Sequence, residues 1–135
     1  MSPSKDTNPK DAISGEKLPL HLVPATAIAY AAVAHYNGAL KYQPWNWRKA
    51  GVRASVYVAA AKRNLDRWME GEDFDEDRVP HLGAVLACIN ILIDAKEMGV
   101  LTDDRPAGGI SETYRHLTET IAHLNERARN DPTSP

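Results

Sequence analysis

At 135 residues the chain is long enough for one domain to bury a substantial core. Hydrophobic content of 43% and charged content of 25% are ordinary for a globular protein, and a net charge of −2 with a pI near 6.2 excludes the broad basic balance used for stable nucleic-acid or acidic-membrane binding. The longest apolar run is broken by Asn90 and Asp94 and is too short to span a bilayer, and the first 17 residues lack the apolar stretch of a secretory signal.

Residues 1–17, MSPSKDTNPKDAISGEK, are rich in Ser, Pro, Lys, Asp and Asn and predict a mobile segment. LPLHLVP follows, with Pro19 and Pro24 arguing against a central strand. It reads as an irregular arm docked on the helices through Leu18, Leu20, Leu22 and Val23. Pro24 opens an alanine-rich helix over 25–38, with Ile28, Ala32, His35 and Ala39 on one stripe and Asn37-Gly38 at its end. His35 reads as a satisfied, partly buried histidine rather than a ligand.

Lys41 to Gly51, KYQPWNWRKAG, sets two tryptophans, a tyrosine and three cations around Pro44, which does not continue a helix. Its rings either cap the core or stack on a base, with Arg48 and Lys49 then free to meet phosphates. A second helix is predicted over 53–70, with Tyr57, Ala60, Ala61, Leu65 and Trp68 inward. Asn64 breaks that stripe. An inward amide left unpaired would cost about 1–3 kcal/mol, so Asn64 needs a partner, a water or a site beside it.

GEDFDEDRVPH packs Glu72, Asp73, Asp75, Glu76 and Asp77 ahead of His81. Carboxylates in a short loop suit a hard cation, Mg²⁺ or Mn²⁺; an acidic turn before a helix N-terminus is the plainer reading. The densest apolar run follows, PHLGAVLACINILIDAKEMG, and predicts the core helix over 80–98. At about 100° per residue, His81, Val85, Cys88 and Leu92 share one face and Asn90, Asp94 and Glu97 the opposite one. Cys88, the single cysteine, reads as a small core residue in a chain without an intrachain disulfide, which fits a reducing compartment.

VLTDDRPAGG reads as a loop. Ser111 is then the expected cap of a last helix over 111–129, in which Tyr114, Leu117, Ile121, Leu124 and Ala128 follow a 3-4 spacing. His116 and His123 flank that stripe as rim residues, and residues 130–135 read as a disordered tail. The expected architecture is all-α: a compact bundle of four main helices with an irregular N-terminal arm, in one helical domain over 18–129. Small residues on the first two helices and many-sided burial of the third predict a homodimer or higher homo-oligomer. No P-loop, GxSxG, CxxC or HExxH is present.

The order of these pieces carries a resemblance. NPKDAISGEKLPLHLVP, GALKYQPWNWRKAGVRASVY, RNLDRWMEGEDFDEDRVPHL, the apolar helix and LTDDRP, spanning roughly residues 8–109, resemble the phage-associated dATP/dGTP diphosphohydrolase N-terminal domain family. That family is linked to the all-α, MazG-like nucleotide pyrophosphohydrolases. The resemblance implies metal-dependent attack of water on the α-phosphate of a purine deoxynucleotide, with release of pyrophosphate in the host cytoplasm.

By position, Glu72, Asp73 and Asp75 match the family's acidic motif and His81 the histidine opening its core helix, with Asp94 a further candidate ligand. Glu72 and His81 would be catalytic, and Mg²⁺ or Mn²⁺ would sit among these groups. Asn46, Trp47 and Arg48 match the NWR segment and, with Asn64, would contact the substrate. Two positions depart from the pattern: Asn64 and Ala84 stand where the family typically, in the latter case often, carries histidine. The paired ExxE and ExxD spacing of a standard MazG-like site is also missing. A nucleotide-binding protein without turnover and a helical interaction module therefore stand beside the hydrolase.

Overall fold

The computed structural model describes residues 8–133. Part of the segment expected to be mobile (1–7) and the end of the expected disordered tail (134–135) lie outside the described residues. Six α-helices and one short parallel strand pair are present among the described residues, so the fold is all-α with four long helices. The described residues divide into two compact units, one ending at Asp104 and the other beginning at Arg105.

The first unit opens with α1 (Pro9–Ser14), where a mobile stretch was expected. Pro9 suits a first helical position, Asn8 Oδ1 accepts from the Lys10 N–H, and the Asp11 carboxylate accepts from the Asn8 N–H. This capping box starts a helix that composition alone hides. The arm after it makes a 3₁₀ turn over Leu20–Leu22, yet Leu18, Leu20 and Leu22 are all more than 70% exposed. They do not dock on the helices as the sequence suggested.

Helix α2 (Ala25–Tyr42) runs through Asn37-Gly38, past the end expected there. A single glycine costs a helix about 1 kcal/mol, which packing against a neighbour overrides. The stop comes at Gln43, whose φ of 83° precedes Pro44. A short helix α3 (Asn46–Ala50), strand β1 (Val52–Arg53) and α4 (Ala54–Met69) follow. The acidic loop leads into α5 (His81–Glu97), and β2 (Leu101–Thr102) pairs in parallel with β1, Val52 opposite Leu101.

Helix α5 is the axle of this unit: it packs against both α2 and α4 and touches α3, β1 and β2. Its crossing with α2 is close because Gly83 has no side chain. A Cβ there would lie 2.9 Å from the Tyr30 carbonyl carbon and nearer still to its oxygen. The buried apolar residues are small, among them Ala31, Ala61, Ala87 and Ala95, as expected where helices approach closely. Many-sided burial of α5 is not seen, since Ile89 and Ile93 are 42% and 61% exposed and Cys88 is only half-buried. Three alanine-rich helices meet along a narrow seam and leave their larger side chains outside it.

The LTDDRP segment has an architectural role. The Asp104 carboxylate accepts from the Ser55 backbone N–H at 2.8 Å and from the Ser55 hydroxyl, capping the first turn of α4 from a distant part of the chain. Those two bonds hold its carboxyl below the usual range. In the second unit α6 (Ser111–Arg129) begins at Ser111 itself; Ile110 occupies the cap position and makes no side-chain cap bond. No helix among the described residues is long and apolar enough to cross a membrane.

Candidate functional site

Two polar constellations lie at opposite ends of α5. The first surrounds His81, the only polar side chain in the buried set of the described residues, with no exposure at all. Asn64 on α4 answers the question raised by its inward position. Its Nδ2 donates to the Ala60 carbonyl at 3.0 Å, which turns Oδ1 toward His81 Nδ1 at 2.8 Å. An amide oxygen only accepts, so His81 carries its proton on Nδ1. Nε2 lies 3.7 Å from Glu72 Oε2 and has no hydrogen-bond partner.

Glu72 is itself held by Arg67, whose Nε donates to Oε2 at 2.6 Å while its Nη2 reaches Glu76 at 2.8 Å. Glu76 is kept below the usual carboxylate range by its own backbone N–H and by Arg67. Asp75 does not join Glu72 and His81. Its Oδ1 accepts from the Asp77 and Val79 N–H groups at 2.8 and 2.9 Å and braces the turn in which Arg78 takes a φ of 66°. Asp73 contributes a backbone carbonyl to the His81 N–H at 3.0 Å, and lines a small cavity of about 300 Å³ with Tyr30, Trp68, Phe74 and Leu82.

Among the described residues no three His, Cys, Asp or Glu side chains converge on one ion position. The orphaned Nε2 and the Glu72 carboxylate are the two groups here that could hold a cation, with its other ligands drawn from water or a bound phosphate. A histidine whose other nitrogen donates to a fixed carbonyl is the form that ligates metals. The mixed nitrogen and oxygen donors suit Mn²⁺ better than Mg²⁺. Glu72 and the Arg67 that holds it must shift before a ligand reaches the buried nitrogen.

The second constellation is built by the NWR segment. Trp47 Nε1 donates to Asp94 Oδ2 at 2.7 Å, and Arg48 grips the same carboxylate with two bonds of 2.8 Å. This clamp ties α3, and with it the turn that follows α2, to the C-terminal half of α5. It drives the Asp94 carboxyl below its usual range, first through Arg48 and then through Trp47, and raises the Arg48 guanidinium. Asp94 lies 13 residues from His81, or about 20 Å along the helix at 1.5 Å per residue, and is not brought to the same site.

Above the clamp opens a groove of about 760 Å³, walled by the rings of Tyr36, Tyr42, Trp45, Trp47 and Tyr57. The ring centroids of Trp45 and Trp47 are 5.1 Å apart, and Arg48 lies 4.6 Å over the Trp45 ring. Trp45 holds a left-handed φ of 60°, a conformation a bulky residue adopts only where its surroundings impose it. Asn46, Asn90 and Glu97 supply the polar edge. Asn90 Nδ2 lies 3.1 Å from His35 Nε2, an amide donor to an imidazole lone pair, so His35 is neutral; burial lowers its pKa in the same sense. Burial raises the Tyr57 phenol.

Asn46 and Trp47 thus line a groove, while Arg48 is committed to Asp94 rather than open to phosphate. The sequence reading missed Tyr36, Tyr42, Tyr57, Asn90 and Glu97 as a wall. The signal available was the polar face Asn90, Asp94 and Glu97 on an otherwise apolar helix. Asn90 is nine residues beyond His81, half a turn out of phase, so the groove and the His81 end face opposite sides of α5.

A family model described as dATP/dGTP diphosphohydrolase, N-terminal, matches residues 7–105. No curated protein and no solved structure matches the chain.

Proposed function

The chain belongs to the dATP/dGTP diphosphohydrolase N-terminal family, and from that premise we propose that it binds a purine deoxynucleoside triphosphate, with the base in the aromatic groove beside α5. The groove itself carries this reading. A volume of about 760 Å³ holds a nucleotide, and several flat rings at its wall suit a purine. Stacking a base on one aromatic ring contributes about 1–3 kcal/mol. With Nδ2 tied to His35, Asn90 keeps its amide oxygen and a second N–H for the base edge. The match ends at residue 105, leaving α6 outside the family's part of the chain.

This reading takes the larger groove over the small cavity at Asp73 and Phe74, which at about 300 Å³ is tight for a whole nucleotide. Thermal stabilisation of the full chain by each of the four deoxynucleoside triphosphates tests it. Stabilisation by dATP or dGTP and not by the pyrimidines is expected, and equal responses to all four would refute purine selection.

The second reading is catalytic and is favoured by the orphaned Nε2 of His81. In it a water attacks the α-phosphorus, the bond to the bridging oxygen of the β-phosphate breaks, and deoxynucleoside monophosphate and pyrophosphate leave. Bound Mg²⁺ or Mn²⁺ supplies neutralisation of phosphate charge and acidification of water. His81 Nε2 and Glu72 would hold the ion, while Asn64 fixes the His81 tautomer and ring orientation. Pyrophosphate released with either metal, and lost in Glu72→Ala at unchanged helicity, is the expected result. Full turnover by that variant removes the Glu72 role. Because the two constellations face opposite sides of α5, the catalytic reading seats its nucleotide at His81 and not in the groove, so variants at each end tell the two readings apart.

A further inference from the structure

The helix outside the family match carries a pattern that the nucleotide reading does not use. Within the second unit nothing covers α6, and Tyr114, Leu117, Ile121 and Leu124 are all exposed there. With Ile110 before them and Ala128 after, these residues fall on alternating steps of four and three, the seam of a heptad repeat. The same register sorts the charges. Glu112, Arg115, Glu119, Glu126 and Arg129 all fall on the side away from the seam.

Arg115 bridges Glu112 at 2.7 Å and Glu119 at 3.0 Å, so much of that outer face is satisfied within the helix. The positions flanking the seam are Ser111, Thr113, Thr118, Thr120 and Asn125, neutral and small, with Arg127 the lone charge. A seam built for a charged partner would carry complementary charge at these flanks, whereas neutral flanks let two identical helices approach without repulsion.

We propose that α6 is a self-pairing helix: its apolar seam docks on the α6 seam of a second copy, joining two chains through a short two-stranded coiled coil. The inference stands apart from nucleotide binding, which is argued from residues of the first unit alone. The seam from Ile110 to Ala128 spans fewer than three heptads, short for a free-standing coiled coil, so the dimer should be reversible at micromolar concentration.

Sedimentation of the full chain over a concentration series tests the pairing, with Leu117→Ala/Ile121→Ala/Leu124→Ala as the variant. Alanine is the best helix former, so α6 itself should persist, and circular dichroism checks this. A reversible wild-type dimer is expected, with the triple variant raising its Kd by at least about 100-fold through loss of apolar burial on both copies. Glu119→Ala/His123→Ala, on the outer side, should leave the Kd unchanged, and nucleotide-induced stabilisation should be the same in all three proteins. A wild type that stays monomeric to about 100 µM overturns the proposal. So does a triple variant that dimerises as tightly as wild type, which would locate the contact on the exposed apolar faces of residues 8–104.

Discussion

The two ends of α5 make opposite use of polar groups. At the Asp94 end each oxygen of the carboxylate has a donor, Trp47 and Arg48 both converge on it, and the result is a rigid wall for an open groove. At the His81 end Asn64 satisfies one imidazole nitrogen, while the other stays buried, unpaired and 3.7 Å from a carboxylate oxygen. A closed network holds a shape. An open valence inside a protein costs stability and is kept where a ligand, a proton or a substrate completes it.

The largest expected effect comes from disturbing the axle that both ends share. Gly83→Ala places a methyl group inside the contact distance of the Tyr30 carbonyl, and neither backbone can yield without separating α2 from α5. A loss of about 1–3 kcal/mol or more is expected, visible as a lower midpoint in chemical denaturation. Asp94→Ala should come next, because it leaves two donors without an acceptor and frees the loop that carries Trp45. Purine-nucleotide affinity should fall more than about tenfold, as much as losing one good stacking contact. Asp94→Asn, which still accepts from Trp47 but loses the charge, should fall between the two.

At the other end, Asn64→Ala strips the buried His81 Nδ1–H of its acceptor and should cost about 1–3 kcal/mol. Groove binding should not change. In contrast, Asn64→His combined with Ala84→His places histidines where the family carries them and should raise metal-dependent pyrophosphate release at least about tenfold, within what acid–base assistance supplies. A folded double variant with no gain would mean that these positions do not govern turnover.

The smallest effect is one of pH. Burial lowers the His35 pKa from its ordinary value of 6.5, so the unfolded chain takes up the proton first. The stability from neutral His35 is present above 6.5 and is lost as pH falls through that value toward the lower folded-state pKa. His35 is only partly buried, so the slope should be shallow, and His35→Gln should flatten it.

Much of the helical framework was legible in the sequence. The apolar run from Pro80 to Gly99 announced α5, and the helix over 111–129 was found with both bounds. Asn64 was flagged by periodicity alone and proved to be the partner of a buried histidine. Other features depended on contacts distant in the chain. The acidic cluster looked uniform as a string, yet Asp75 braces a turn while Glu72 faces His81, and Asp94, grouped with them as a candidate ligand, anchors the NWR segment some 20 Å along α5. α1 stayed hidden because a two-residue capping box decided it against composition. The groove was illegible because its walls come from α2, the Pro44 loop, α4 and α5 together.

Isothermal titration of dATP and dGTP into wild type, Trp45→Ala and Glu72→Ala, with Mg²⁺ present, tests the division between the two ends most directly. Trp45 is the ring the clamp holds at the groove, and its loss should weaken binding by about tenfold or more, whereas Glu72→Ala should bind within about twofold of wild type. Unchanged affinity in Trp45→Ala, with binding lost in Glu72→Ala, would contradict the account and move the nucleotide to the His81 side of α5.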